Sequence, residues 1–170
     1  MNARDLAWAM AYQTMALEGC DGAGKTTLAT RLAAAHGFVV IHSGRTPDDV
    51  DLVGRYRALL ARSGRIVLDR CFLSELVYGP LYRGRSRIDQ SETVALVAEV
   101  ASRHGVFVHV TAPVTTIQAR LAARADGEVP ALSVLEEIIK RYEHVVASVA
   151  GHAPVLRVDT TQLPLPEVPR

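Results

Sequence analysis

The sequence is poor in features that mark whole classes of protein. It has two cysteines, Cys20 and Cys71, in 170 residues. That is too few for a disulfide framework, and neither stands in a Cys/His spacing that would hold zinc. No apolar run approaches the ~20 residues a bilayer requires, so a membrane partner is not expected. Nineteen basic and eighteen acidic residues leave a formal charge of +1. No global field is present to grip nucleic acid, so any recognition of phosphate must be local. Internal repeats and low-complexity tracts are also missing.

What remains is an ordinary globular composition, with 49% hydrophobic and 22% charged residues. The length suits one domain with a substantial core. The short apolar patch at 6–10 lacks the basic start of a secretory signal. A glycine-rich loop follows so closely that cleavage would remove the first strand. Residues 1–13 therefore read as a poorly constrained N-terminal extension of a cytoplasmic protein, and the Pro-rich residues 163–170 as an extended tail.

Between them, short apolar runs alternate with longer helical patterns, the signature of βαβ units. Strands are expected at 14–18, 38–42, 65–69, 105–111 and 155–159. Helices are expected at 25–36, 47–62, from 73 onward, 91–104, 114–125 and 132–150. Thr46 is the expected N-cap of the second helix, with Asp48 and Asp49 in its first turn. Five strands with helices on both faces give an α/β fold with a five-stranded parallel sheet over residues 14–162.

The strongest local signal is Gly19-Cys20-Asp21-Gly22-Ala23-Gly24-Lys25-Thr26, a full G-x-x-x-x-G-K-[ST] motif between an expected strand and an expected helix. Glycines let the backbone N–H groups of Gly22, Ala23, Gly24, Lys25, Thr26 and Thr27 cradle phosphates at a helix N-terminus. Lys25 can reach the β- and γ-phosphates of ATP, and the Thr26 hydroxyl can ligate Mg²⁺. Asp51-Leu52-Val53-Gly54 has the D-x-x-G spacing of a GTPase switch. It falls inside an expected helix, however, and no N-K-x-D follows.

The segment from Glu18 to Thr27 resembles the E-G-x-D-G-A-G-K-T-T loop of thymidylate kinases, and Asp69-Arg70 resembles their D-R motif. The continuation through Ser74-Glu75-Leu76-Val77-Tyr78-Gly79 to Arg83-Gly84 is closer still to compact thymidylate-kinase-like proteins of phages and bacteria. The likeness runs from Thr14 to about Tyr142. It implies a P-loop NTPase fold of the nucleoside monophosphate kinase type. The implied activity is ATP- and Mg²⁺-dependent phosphoryl transfer to a small acceptor such as dTMP or another dNMP. Between the second strand and D-R the chain is shorter than in thymidylate kinases and lacks their base-stacking phenylalanine, so the likeness does not extend to thymine selectivity.

A carboxylate at the end of the third strand faces the phosphate loop, where Asp69 can hold Mg²⁺ or accept a proton. Arg70 is placed to grip the acceptor. Arg45 occupies a region where thymidylate kinases carry a phosphate-binding arginine, and a solvated arginine is its alternative. Tyr78, Tyr82 and Phe72 are candidates either for stacking on a base or for the core. Arg83, Arg85 and Arg87 form either a solvated face or a substrate contact, with Arg83 the candidate for the latter. Arg120 and Arg124 share a helix face. They resemble the lid arginines of nucleoside monophosphate kinases, one packing on adenine and one reaching phosphate, with the lid around 120–131. Asp159-Thr160-Thr161 is a candidate border of the adenine.

The alternatives are a nucleoside or nucleoside-antibiotic hydroxyl kinase, with Asp69 as general base, and a non-enzymatic ATP-binding module. Nucleic acid is not the expected acceptor, and a homodimer is compatible with all of these readings. Cys20 and Cys71, each following one of two strands expected to be neighbours, are expected near one another at the catalytic edge.

Overall fold

The computed structural model describes residues 3–124 and 129–162; the expected tail and residues 125–128 of the expected lid lie outside the described residues. The elements are β1 (Thr14–Glu18), α1 (Lys25–His36), β2 (Val39–His42), α2 (Leu52–Leu60), β3 (Ile66–Asp69), α3 (Leu73–Arg83), α4 (Gln90–Ser102), β4 (Gly105–Thr111), α5 (Val114–Arg124), α6 (Leu132–Val149) and β5 (Val155–Asp159), preceded by a 3-10 helix, Ala3–Ala11. All five strands pair in parallel, in the order β2-β3-β1-β4-β5. Among the described residues no helix is long and apolar enough to cross a membrane.

The central strands are buried on both faces, and their period of two divides the core. Met15, Leu17, Val67, Val106 and Val108 join a cluster with Leu28 of α1 and Ile117 of α5. Ala16, Ile66, Leu68 and Phe107 join a second cluster with Tyr56 and Leu60 of α2 and Leu96 of α4. Helices thus cover both faces of the sheet. Because the chain crosses from β3 past β1 to β4, the carboxyl ends of β1 and β3 lie side by side, with Leu17 opposite Asp69. Crevices at such ends are where open α/β sheets take ligands.

Several elements begin or end one or two residues from expectation, as β2 at Val39, β3 at Ile66, α2 at Leu60 and α4 at Ser102 do, and three differences have a visible cause. The second helix starts at Leu52, not at 47. Pro47 to Val50 forms a turn, and Asp51 is the N-cap, accepting from the Gly54 N–H. The Thr46 hydroxyl, expected to cap, instead accepts from Arg55 Nη1 at 2.6 Å. The fourth helix begins at Gln90, one residue early, because Asp89 and Glu92 form a capping box. The N-terminal segment is not loosely attached. Its 3-10 helix packs on α1, with Leu6 and Ala9 buried.

Arg65, just before β3, fastens that segment. Its guanidinium donates to the carbonyls of His36, Ala9 and Tyr12 and stacks 4.2 Å from the Phe38 ring centroid. Arg65→Ala is expected to cost about 1–3 kcal/mol, since three carbonyls lose a charged donor. Hydrogen exchange should accelerate across residues 6–12, whereas unchanged protection there would refute the fastening role.

Candidate functional site

The glycine-rich loop leaves β1 and enters α1 at Gly24, whose φ of 101° suits a residue without a side chain. Lys25 is buried, and its Nζ donates to the carbonyls of Gly19 (2.7 Å) and Cys20 (2.9 Å). Burial draws the Lys25 amine below its ordinary pKa, against the opposing pull of the Cys20, Glu18 and Asp69 side chains. The loop carbonyls hold this amine at the floor of the crevice.

Asp69 ends β3 facing the loop. Thr26 Oγ1 donates to its Oδ2 at 2.7 Å, and His42 Nδ1, from the end of β2, lies 3.0 Å from the same oxygen. The pair Thr26–Asp69 joins the first turn of α1 to β3. A hydroxyl and a carboxylate are hard oxygen donors, and Mg²⁺ takes few protein ligands while keeping water and phosphate oxygens. This donor set therefore fits that ion. His42 was not a sequence candidate; only its register beside Asp69 brings it here.

Arg70, next in the chain, adopts a left-handed backbone with φ of 73°. Such a conformation is strained for a non-glycine residue and tends to mark functional positions. The turn directs its guanidinium to Asp21 of the loop, 5.9 Å from the Tyr78 ring centroid. Arg45 and Arg124 join Lys25 and Arg70 around a cavity of about 320 Å³ above the loop, which also includes Thr26 and Asp69. Cationic groups thus arrive from α1, α5 and the segments after β2 and β3.

Two further cavities adjoin it. One, of about 260 Å³, lies between α1 and α5 and is lined by Gly24, Thr27, Arg120, Arg124 and Thr160. Arg120 donates to the carbonyls of Gly22 and Ala23 and to Thr160 Oγ1, which fastens the loop to the end of β5. The other, of about 360 Å³, opens beyond Arg70 and is bounded by Arg45, Tyr78, Tyr82, Arg83 and Arg87 among others. Tyr78 and Tyr82 lie parallel, with centroids 6.0 Å apart, and Tyr82 is 64% exposed. Phe72 stands apart, buried edge-on against Tyr56 and Phe107 in the core.

The cysteines follow neighbouring strands, but they belong to separate core clusters. Both are free thiols, and burial raises the pKa of each. The structure forms no bridge between them.

Sequence reasoning also missed Glu18, quoted only as part of a motif. Its carboxylate is fully buried and accepts from the N–H groups of Cys71 and Ser74 and from Ser74 Oγ. Tyr142 of α6 donates in turn to Ser74 Oγ at 3.1 Å. Glu18 thus caps α3 from another element, since Phe72 at the helix start offers no side-chain cap.

No family model matches the chain, and no curated protein matches it in sequence. Solved structures do. Bacillus subtilis YorR, in complex with phosphorylated GDP, matches over 88% of this chain and 86% of its own, at 20% identity and a TM-score of 0.75. M. mycoides deoxyadenosine kinase with bound dCTP matches over 87% of this chain and 90% of its own, at 19% identity and a TM-score of 0.57. A Sinorhizobium meliloti gluconokinase matches over 88% and 83%, at 18% identity and a TM-score of 0.50. The chain has the α/β P-loop NTPase fold. Within that fold the three cavities lie in sequence along the carboxyl edge of the sheet.

Burial raises the Glu18 pKa from 4.5 to about 7, with the Ser74 hydrogen bonds and the Lys25 charge opposing it. A carboxyl whose folded pKa is raised contributes stability that is complete below the unfolded value and is lost as pH rises through the folded one. Urea denaturation of the wild type and Glu18→Gln across pH 4.5–8 should show the wild type losing roughly 3 kcal/mol relative to the variant. A difference that stays flat with pH would refute this account.

Proposed function

We propose that this protein transfers the terminal phosphoryl group of ATP to a nucleoside monophosphate. One observation carries the choice of acceptor. The cavity beyond Arg70 brings four guanidinium groups, of Arg45, Arg70, Arg83 and Arg87, against two carboxylates, of Asp21 and Glu75. Among the lining residues the surplus is two positive charges, and one where Asp48 pairs with Arg87 from outside the cavity at 3.6 Å; an anionic phosphate compensates it, whereas a neutral nucleoside or sugar would leave it uncompensated.

In this reading the loop N–H groups and Lys25 hold the β- and γ-phosphates, and the cavity at Arg120 and Thr160 takes the adenine. Thr26 and Asp69 would hold Mg²⁺, which supplies charge neutralisation on the phosphate oxygens when bound. An ionised oxygen of the acceptor phosphate forms the new bond to the γ-phosphorus. The bond from that phosphorus to the bridging oxygen breaks, and its electron pair leaves with ADP. No proton must be removed, so the work of the protein is alignment and charge compensation by Lys25, Arg70 and Arg124. Tyr78, under the Arg70 guanidinium, offers a flat face to the acceptor. Asp69 Oδ2 already faces the Thr26 hydroxyl and His42, an arrangement that suits a metal ligand better than a general base. A cytoplasmic setting, with ATP and reduced thiols, belongs to the same reading.

Two measurements test this. Lys25→Ala should remain folded but lose most phosphoryl transfer, because charge on the β- and γ-phosphates is no longer compensated; wild-type turnover would refute the loop assignment. The second is an acceptor panel, with nucleosides beside their monophosphates and dTMP and other dNMPs first, assayed by ADP release. Arg70→Ala should lower kcat/KM for monophosphates by the equivalent of about 2–4 kcal/mol, with Arg70→Lys rescuing only part. A preference for the nucleoside, with Asp69→Asn the more damaging variant, would overturn the choice of acceptor.

A further inference from the structure

The acceptor cavity holds a carboxylate that a site for anions would not be expected to contain. Glu75 projects from the first turn of α3 and is 8% exposed. Its Oε1 accepts from the Arg83 guanidinium and from the Arg87 backbone N–H at 2.9 Å. Its Oε2 accepts from Arg87 Nη2 at 3.2 Å. The Arg87 guanidinium extends further, with Nη1 donating to the carbonyl of Pro47 at 2.8 Å. One carboxylate therefore joins α3, the segment after α3 and the segment after β2, the last of which carries Arg45.

The backbone around Glu75 is shaped for this. A side chain at position 79 would meet Glu75 Oε1 at 2.7 Å and the Arg85 carbonyl at 2.8 Å, so Gly79 lets the arginine-bearing segment lie against the helix. Burial raises the Glu75 pKa and the bonds from Arg83 and Arg87 lower it, with a net shift downward. The Nε atoms of Arg83 and Arg87 are buried with no partner. Glu75 takes one terminal nitrogen of each arginine, yet both arginines line the cavity.

We infer that Glu75 is a positioning residue for the acceptor, holding Arg83 and Arg87 in the one arrangement that presents their guanidinium groups to an anion in the cavity beyond Arg70. The inference rests on the monophosphate reading and extends it. Glu75 also lines the cavity, but both of its oxygens are taken by Arg83 and Arg87, so the role inferred for it is to position them rather than to bind the acceptor. Its negative charge taken alone would repel an anionic acceptor, so electrostatics and positioning predict opposite signs. If Glu75 only subtracts charge, removing it tightens acceptor binding. If it positions, removing it releases two like charges into mutual repulsion and loosens the site.

The test is steady-state kinetics of the full chain, varying ATP and the monophosphate that wild type uses best. Glu75→Gln should raise the acceptor KM about tenfold or more, the scale of one lost charged contact. The ATP KM should stay within about twofold, because Glu75 does not line the cavity at Arg120. Glu75→Asp, which keeps the charge but shortens the reach, should give the same split. If Glu75→Gln does not fold, Arg87→Lys retains the charge and loses the fork, and should show that split as well. An unchanged or lowered acceptor KM would overturn the inference, as would ATP and acceptor KM rising together. If wild type uses no monophosphate, the acceptor reading fails whatever Glu75 does. If it uses one and the Glu75 variants keep its KM, only the inference fails.

Discussion

The arrangement depends on a buried carboxylate at the end of β1. Glu18 accepts two backbone N–H groups and a hydroxyl from the start of α3, which fixes that helix against the strand feeding the phosphate loop. Ser74 then passes the connection to Tyr142 on α6. Full burial of an ionisable group is costly without such donors, and here three are spent on it. Asp69, at the end of β3, and Arg70, just after it, are thereby held beside the loop, to which Thr26 and Asp21 also tie them. Position in a parallel sheet sets the carboxyl ends side by side; Glu18 sets their distance from the helix that follows.

A second carboxylate repeats the strategy on the acceptor side. Glu75 gathers Arg83 and Arg87 much as Glu18 gathers the start of α3, again from residues distant in sequence. Asp21 does the same for Arg70 and lies 3.7 Å from Lys25 Nζ. Lys25, Arg70, Arg83 and Arg87 thus each have an anionic anchor, and the residues lining the cavity still carry a positive surplus. Such pre-arranged charge lowers the reorganisation required when a phosphate arrives.

The sheet was legible because its signals are local. β1, α1, β4 and β5 begin and end at the expected residues, each bounded by glycines, by an abrupt change of period or by both. The start of α2 was not, because Thr46 followed by two acids reads as a cap, and only the fold brings Arg55 to its hydroxyl. The N-terminal segment looked unconstrained because its partner, Arg65, lies more than fifty residues away. Lys25, Thr26, Asp69 and Arg70 could be read from motif spacing, and they meet around one cavity. Glu18 and Glu75 sat inside quoted motifs without a role, since a carboxylate reveals its burial only through partners that tertiary structure supplies. His42 carried no signal at all beyond ending a strand.

The basicity of the crevice has a practical consequence that follows from Lys25. The chain has seventeen arginines and two lysines, Lys25 and Lys140, so primary amines are scarce. Lys25 Nζ sits at the loop, held by the Gly19 and Cys20 carbonyls, and lines the cavity that a phosphate on the loop would fill. Acylating reagents small enough to enter the crevice would therefore have few competing targets, with Lys140 and the chain terminus as internal references. Occupancy of the loop could then be followed as protection of a single side chain from covalent modification, with no acceptor present and no turnover required.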